Sequence, residues 1–584
     1  MRVKQVALIS GLRLGLFAAL LVQPWAAAGL ESLSPARPLP GSGAPAARAP
    51  EVRPVPSGPA PDLQTPAPPG AAVASAAPAA PLFVLTAVRF EGGEGLPQTG
   101  LQAVCLPYLG RALSLSDLEQ LRFELTRHYV DQGYVNSGVI VKPGQVVSDG
   151  VLTFQIVTGR LSEVRISGQE GLRPAYVHDR IRPDAQEPLN REVLQARFQR
   201  LLDDPLIERI DASLLPGLSP GAAVLDLKLV RARPWSLYAR VDNDQPPSTG
   251  AEFFYLGGAL RNLTGFGDVL EFYGGLGLQG GNGLTDRGRQ GSLGWSVPLS
   301  ARDTRLFLRY DRTNSSLLEE PLRELDIVSD TQRVEAGIAY PWWRTPRSAL
   351  TLGALVSWSQ NTTTLLGEPF SFSPGAVRGE SRVTALRLSQ EFQDRGATSA
   401  FALRSVFSLG LDAFGATIHD DGLPDSRFFV WLGQGQYVRN LDRRGTQLVL
   451  RAAVQLTPDV LLPLERYAVG GANTVRGYRE NELVGDCGYV ASLEVRYPLW
   501  RGGWWRSPAN LLQLAVFTDV GSAWGHGLFH RRENLFSAGI GLRWNMSERL
   551  RADLYVAHAF IEPLPKDTYD WQDDGIHFML ETEF

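Results

Sequence analysis

From residue 235 to 584 the chain alternates apolar and polar residues in one segment after another, and the links between segments alternate between short and long. Sixteen such segments begin near Trp235, Phe253, Val269, Ser292, Thr304, Gln332, Ser348, Arg382, Ala400, Arg427, Gln447, Tyr489, Leu511, Asn534, Leu550 and Gly575. In one of them Leu448, Leu450, Ala452, Val454 and Leu456 oppose Val449, Arg451, Ala453 and Gln455. In another, Phe536, Ala538, Ile540, Leu542 and Trp544 oppose Ser537, Gly539, Gly541 and Arg543. A period of two is the mark of a strand with two unlike faces. Soluble sandwiches alternate as well, so the links decide between the two classes. After even-numbered segments the links are mostly tight, as at 262–268, 298–303, 393–397 and 545–548. After odd-numbered segments they are long, at 313–329, 361–380, 457–488 and 561–574. Tight turns on one rim and long loops on the other belong to an outer-membrane barrel.

Two further features agree. Six of the thirteen tryptophans (Trp342, Trp343, Trp500, Trp504, Trp505 and Trp544) fall at or beside the short-turn rim, where an aromatic girdle meets the membrane interface. The last segment turns Ile576, Phe578, Leu580, Thr582 and Phe584 outward and ends on the aromatic Phe584, a familiar insertion signal of bacterial outer-membrane proteins. Closure requires this segment to pair with the first, because an open sheet edge is not tolerated in lipid. The expected fold of residues 233–584 is a 16-stranded antiparallel transmembrane β-barrel, with about 22 residues per strand and link. Sixty glycines, three methionines and 9% aromatics suit many strands and turns better than helical bundles. A net charge of −4 supplies no global basic field, so nucleic acid is not an expected partner.

Upstream, residues 1–28 read as a signal peptide: Arg2 and Lys4, an apolar run at 14–22, and Ala26-Ala27-Ala28 for cleavage. Nothing later reaches the ~18 uninterrupted apolar residues of a membrane helix. Residues 29–81 are dominated by alanine and proline and read as an extended linker. Two small α/β units follow, at 82–160 and 161–232. The first runs strand 83–90, helix opened by a capping box at Ser116 and Glu119, then strands 137–142 and 151–157. The second runs strand 161–167, helix capped by Asn190, then strands 207–214 and 223–230. Small sheets of this kind leave edge strands that can accept an extended partner. Cys105 and Cys487 fall in different domains and read as free thiols.

The chemistry-bearing stretch is Val469-Gly470-Gly471-Ala472-Asn473-Thr474-Val475-Arg476-Gly477-Tyr478, read with Phe517-Thr518-Asp519-Val520-Gly521. Alternation places Asp519 in the lumen, and an arginine on an inward-folded loop can reach it. A guanidinium–carboxylate pair is charge-assisted and often bidentate, so it can lock a loop in one geometry. Gly470, Gly471 and Gly477 allow tight turns against the wall, and Tyr478 packs beside the pair. Gly275, Gly277 and Gly280 match a dinucleotide fingerprint without the helix it needs, and His526 and His530 lack further ligands. No nucleophile elbow appears, so no catalytic residue, metal or cofactor is expected. Arg543, Arg551 and Asp553 read as the lining of a wet interior.

Together these pieces resemble the two-partner secretion transporters, the TpsB family of haemolysin and filamentous-haemagglutinin transporters. The run from Gly470 to Tyr478, with Gly485 and Asp486, resembles that family's sixth-loop signature and contains Arg476, the expected loop-lock partner of Asp519. Phe517-x-Asp519-x-Gly521 resembles its companion on the thirteenth strand. Asp131-Gln132-Gly133-Tyr134, followed by Gln145 and Asp149-Gly150, resembles the family's first periplasmic POTRA domain. The resemblance implies two POTRA domains ahead of the barrel, a large β-rich exoprotein as partner, export without ATP, outer-membrane lipid around the barrel, and barrel assembly machinery and periplasmic chaperones during biogenesis. Family members often carry a plug helix before the first POTRA domain; here that region is proline-rich and shows no amphipathic helix. Two other classes remain: an assembly factor of the same superfamily that inserts other barrels, and a passive porin or adhesin.

Overall fold

The computed structural model describes residues 82–584 except 148, 182–186, 280–287, 320–321, 503–509, 527–531 and 564–567. The signal segment 1–28 and linker 29–81 lie outside the described residues, as do Trp504, Trp505, Gly280 and His530. The described chain falls into one unit ending at Arg233 and another starting at Pro234.

The first unit holds two small α/β folds. In the first, β1 (Phe83–Val84) pairs with β3 (Ala112–Leu113), and β2 (Ala87–Gly92), β4 (Gly138–Val141) and β5 (Val151–Val157) form a sheet with β5 in the middle. Helix α1 (Leu101–Cys105) and the longer α2 (Leu115–Asp131) complete it. Leu121, Leu125 and Tyr129 of α2 are buried against Leu152, Phe154 and Ile156 of β5. In the second fold, β6 (Arg160–Ser167), β7 (Ile207–Pro216) and β8 (Ala222–Arg231) make a sheet centred on β8, covered by α3 (Pro174–Ile181) and α4 (Arg191–Leu202). Asn190 caps α4, its side-chain oxygen accepting from the Glu192 amide at 2.9 Å.

Three details depart from the sequence reading. The expected strand at 83–90 is two strands, because the amides of Leu85 and Thr86 turn aside to the carbonyls of Arg111 and Gly150. The capping box is Ser114–Asp117, not Ser116–Glu119: Asp117 N donates to Ser114 Oγ at 3.2 Å and Ser114 N to Asp117 Oδ2 at 2.9 Å. Two boxes overlap in this stretch, and the earlier lengthens the helix. Helices α1 and α3, of 5 and 8 residues, were not anticipated; one or two turns offer too few positions for a 3.6-residue period to show. Cys105 and Cys487 are free and buried, and burial pushes the Cys105 thiol up to about 11.

The second unit is a closed antiparallel barrel of sixteen long strands. They are β9 (Trp235–Asp242), β10 (Phe253–Arg261), β11 (Val269–Gly277), β12 (Arg289–Pro298), β13 (Arg305–Ser316), β14 (Val328–Arg344), β15 (Ser348–Leu365) and β16 (Glu380–Arg395). There follow β17 (Ser399–Leu411), β18 (Phe429–Asn440), β19 (Gln447–Leu456), β20 (Cys487–Arg501), β21 (Leu511–Trp524), β22 (Glu533–Asn545), β23 (Leu550–Ala559) and β24 (Ile576–Glu583). Outward-pointing Leu256, Leu293, Val516 and Ile540 are exposed, an apolar belt that lipid covers. Gly275 and Gly277 of the nucleotide-like triplet lie inside strand β11.

Strands on the long-loop side overrun the segments read from the sequence. Strand β15 continues through Asn361 and Thr363 to Leu365, and β14 begins at Val328 rather than Gln332. Pairing persists there after the apolar alternation has faded, since hydrogen bonding does not need a lipid-facing side. At the opposite rim the ladder slips between Pro341 and Trp343 and again between Pro498 and Trp500, two bulges where proline cannot donate. Closure joins β24 to β9 over five pairs, from Met579↔Asp242 to Glu583↔Tyr238. Phe584 adds a bond from its amide to the Leu237 carbonyl at 2.8 Å. Above these pairs the Asn243 side chain continues the zip, donating to the Ile576 carbonyl (2.9 Å) and accepting from the Phe578 amide (2.8 Å).

Candidate functional site: the inward loop and its wall pocket

The link between β19 and β20 does not stay outside. Tyr467–Val469 and Leu483–Gly485 pair as a small hairpin, and Tyr467, Val469, Val475 and Tyr478 are buried against wall residues that include Val406, Leu432, Val490 and Leu535. The base is stapled by Asp486, whose carboxylate accepts from the Leu461 amide at 3.0 Å and the His526 amide at 2.7 Å. The two glycines of the turn are obligatory. Gly471 has φ +101°, and a Cβ there would fall 2.0 Å from the Glu480 carboxyl carbon. That carboxylate accepts from the Ala472 amide at 2.7 Å, while Gly470 N donates to Thr474 Oγ1 at 2.8 Å. Gly477 also has a left-handed φ of +94°, whereas Gly521 permits close approach instead: a Cβ there would lie 2.7 Å from Val475 Cγ2.

At the tip, Arg476 enters a pocket built by three strands. Its Nε and Nη2 donate to Asp519 Oδ2 and Oδ1 at 2.7 and 2.9 Å, and its backbone amide donates to Oδ2 at 3.1 Å. Nη1 donates to Glu494 Oε2 at 2.5 Å and Nη2 to Ser492 Oγ at 3.1 Å. The guanidinium lies 3.4 Å over the centre of the Phe517 ring and 4.9 Å from that of Tyr555. Arg476, Asp519 and Glu494 are all buried. Tyr478 anchors the next turn: its hydroxyl lies 3.0 and 2.9 Å from the carbonyls of Phe536 and Ile561.

Period two explains the pocket. Ser492 and Glu494 are inward residues of β20, directly opposite Asp519 and Phe517 of β21. On β22, Ser537 pairs with Asp519, but Gly539 pairs with Phe517 and Gly541 with Ala515, so the rings of Phe517 and Tyr555 lie across that strand and meet edge to face at 5.6 Å. The neighbouring charges form a second tier. Arg496 donates to Glu494 Oε1 at 2.5 Å, Arg543 stands 3.9 Å from the same oxygen, and Arg543 and Arg551 both pair with Asp553.

A second clamp holds the loop from its outer side. Arg479 Nε and Nη2 donate to Asp573 Oδ1 and Oδ2 at 2.6 and 2.7 Å, and Nη1 donates to Glu319 Oε1 at 2.9 Å. Gln572 accepts from the Glu480 amide at 2.8 Å and donates to the carbonyls of Asn243 and Gln245 at 2.6 and 2.8 Å. The inward loop is thereby tied to two other outer loops and to the barrel seam. Arg479→Ala is expected to loosen the 561–574 loop, with cleavage of that loop by external protease on intact cells rising about three-fold or more. Unchanged cleavage would mean that the clamp contributes nothing to loop order.

Every residue anticipated around the lock is therefore placed: Gly470, Gly471, Val475, Arg476, Gly477 and Tyr478 in the loop, Phe517, Asp519 and Gly521 on the wall, and Phe584 at the seam. The lock is larger than the anticipated pair. Glu494, Ser492, Tyr555 and the Arg479 clamp were missed. Glu494 did carry a signal, an acidic residue on the lumen parity of β20. Nothing in the sequence linked Arg479 to Asp573, 94 residues away. His526 uses its amide on Asp486 and its ring on the Thr457 carbonyl at 2.8 Å; among the described residues no group of three or more His, Cys, Asp or Glu could hold a metal ion.

Residues 221–544 match the family described as haemolysin secretion/activation protein ShlB/FhaC/HecB, and residues 83–159 match the ShlB-type POTRA domain. The outer membrane transporter CdiB of Escherichia coli is 24% identical over 526 residues, covering 85% of this chain and 81% of that protein. The heme/hemopexin transporter protein HuxB of Haemophilus influenzae is 26% identical over 193 residues, 32% of this chain and 34% of that one. In structure, CdiB from Escherichia coli superposes with a TM-score of 0.65 at 19% identity, covering 88% of this chain and 93% of its own.

Proposed function

The chain belongs to the ShlB/FhaC/HecB family of outer-membrane secretion transporters, with its POTRA region in the periplasm, and on that premise we propose that it exports one unfolded exoprotein through the barrel lumen, gated by the 457–486 loop. The domain limits that go with this reading are 82–160 and 161–232 for two POTRA domains and 233–584 for the barrel. The exoprotein arrives extended and is captured by strand addition; β2, β4, β6 and β7 are sheet edges that can accept it. It then crosses the lumen as the loop withdraws. No nucleotide enters the scheme. Folding of the passenger outside removes the species that could slide back, which biases the motion outward.

The observation that carries the gate is the loop's placement. A segment tied into the lumen through buried Arg476, with Tyr478 and Arg479 anchoring the next turn, stands in the path of any chain that crosses. The test is a tether. Val475 and Gly521 face each other closely, with 2.7 Å between Val475 Cγ2 and a Cβ built on Gly521. In Val475→Cys/Gly521→Cys, an oxidised bond is expected to stop secretion and a reductant to restore it to the level of the Gly521→Cys single variant. Full secretion with the bond formed would remove the loop from the gating role.

A further inference from the structure

We propose that the wall pocket is a guanidinium receptor in its own right, and that arginine side chains of the passing polypeptide occupy it once Arg476 has left. The inference rests on the gate reading above and adds the chemistry of what replaces the loop.

The receptor is complete without the loop. Ser492 and Glu494 stand on β20, Phe517 and Asp519 on β21, and Tyr555 on β23, all on paired barrel strands. The loop contributes the ligand: one guanidinium and one backbone amide. A planar fork fits the bidentate carboxylate while its flat face rests on Phe517. A lysine ammonium can meet one carboxylate but has no plane to stack and no fork to bridge Asp519 and Glu494, so the site discriminates between the two cations.

The two carboxylates differ in what departure does to them. Glu494 keeps Arg496, which donates to its other oxygen at 2.5 Å. Asp519 receives its hydrogen bonds from residue 476 alone among the described residues: Nε, Nη2 and the backbone amide. Withdrawal of the loop therefore strands one buried anion, a cost that adds to the Tyr478 and Arg479 contacts in holding the loop in place. An arginine of the passenger that arrives as Arg476 leaves makes the exchange nearly even. The rest of this wall works against a cation: Arg451, Arg496, Arg543 and Arg551 flank the pocket, so a passing positive charge is directed to Asp519 rather than along the strand. Binding at a single site is weak enough to release, and successive arginines would dwell there in turn.

The test uses the full-length protein in detergent micelles, with methylguanidinium as the probe and methylammonium as its control. Arg476→Ala vacates the pocket. Methylguanidinium is expected to raise its melting temperature saturably in the millimolar range, and methylammonium is not. Wild-type protein, its pocket filled, and Arg476→Ala/Asp519→Asn, its anion removed, should show no such rise. Equal responses in the single and double variants would overturn the receptor. Should Arg476→Ala fail to fold, as judged by heat-modifiable migration, Arg476→Gln takes its place in the same titration. A second arm separates the receptor from the gate: the wild-type transporter is given a passenger whose arginines are all lysines. Secretion several-fold slower is the expected result. Secretion at the normal rate would overturn the exchange while leaving the gate, judged by the tether, intact.

Discussion

Replacing Arg476 by alanine is expected to cut secretion of the exoprotein at least ten-fold while the barrel is inserted at its normal level. The reason lies in what is left behind. Removing one partner of a buried ion pair destabilises by about 3–5 kcal/mol, because the other charge stays buried and uncompensated. Here that charge is Asp519, which loses both guanidinium bonds at once. A change of this size moves the balance between the docked and withdrawn loop by roughly two to four orders of magnitude. The gate then has no defined closed state, and bilayer conductance of the reconstituted protein should rise along with the fall in secretion. Asp519→Asn should be milder, since Arg476 keeps Glu494 at 2.5 Å. Arg476→Lys should fall between the two, as an ammonium keeps the charge and loses the fork. The measurement is secreted against cell-associated exoprotein, with heat-modifiable migration as the check on insertion. Equal secretion by Arg476→Ala and wild type would reduce the lock to a packing detail.

How far the sequence carried this picture depends on the range of the interaction. Barrel strands announce themselves locally: Phe536, Ile540 and Leu542 against Ser537, Gly539 and Arg543 is a pattern of neighbours, and all sixteen strands were marked on it. Their upper ends were not, because runs such as Asn361, Thr362, Thr363 and Thr364 are paired but polar on both faces, and a run without apolar residues shows no alternation. The Arg476–Asp519 juxtaposition was legible because one residue sits on a glycine-rich loop and the other on a strand of known parity. Glu494 was within reach of the same reasoning and was passed over. Short helices such as Leu101–Cys105 lack enough turns to show a period. The clamp from Arg479 to Asp573 and Glu319 joins three loops, and no local pattern encodes which loops meet over a lumen.

Much of the pocket is made by side chains that are missing, and this yields a second large effect. On β22, Gly539 and Gly541 leave the space in which the rings of Phe517 and Tyr555 lie flat. A Cβ on Gly539 would fall 2.7 Å from Phe517 Cζ and 2.3 Å from the Val556 carbonyl oxygen, so Gly539→Val must lift the ring and shift the strand together. With Phe517 lifted, the guanidinium loses its stacking face, and the fork no longer meets Asp519 squarely. Gly539→Val is therefore expected to reduce secretion about ten-fold, approaching Arg476→Ala, although every charge of the lock is still present. Gly541→Ala should do less, because its added carbon meets only the Tyr555 ring, at 2.3 Å from Cδ1, and that ring stands farther from the arginine. If charge alone held the loop, both variants would secrete normally. If shape positions the charge, the graded loss follows, and the glycines of a neighbouring strand belong to the lock as much as the arginine does.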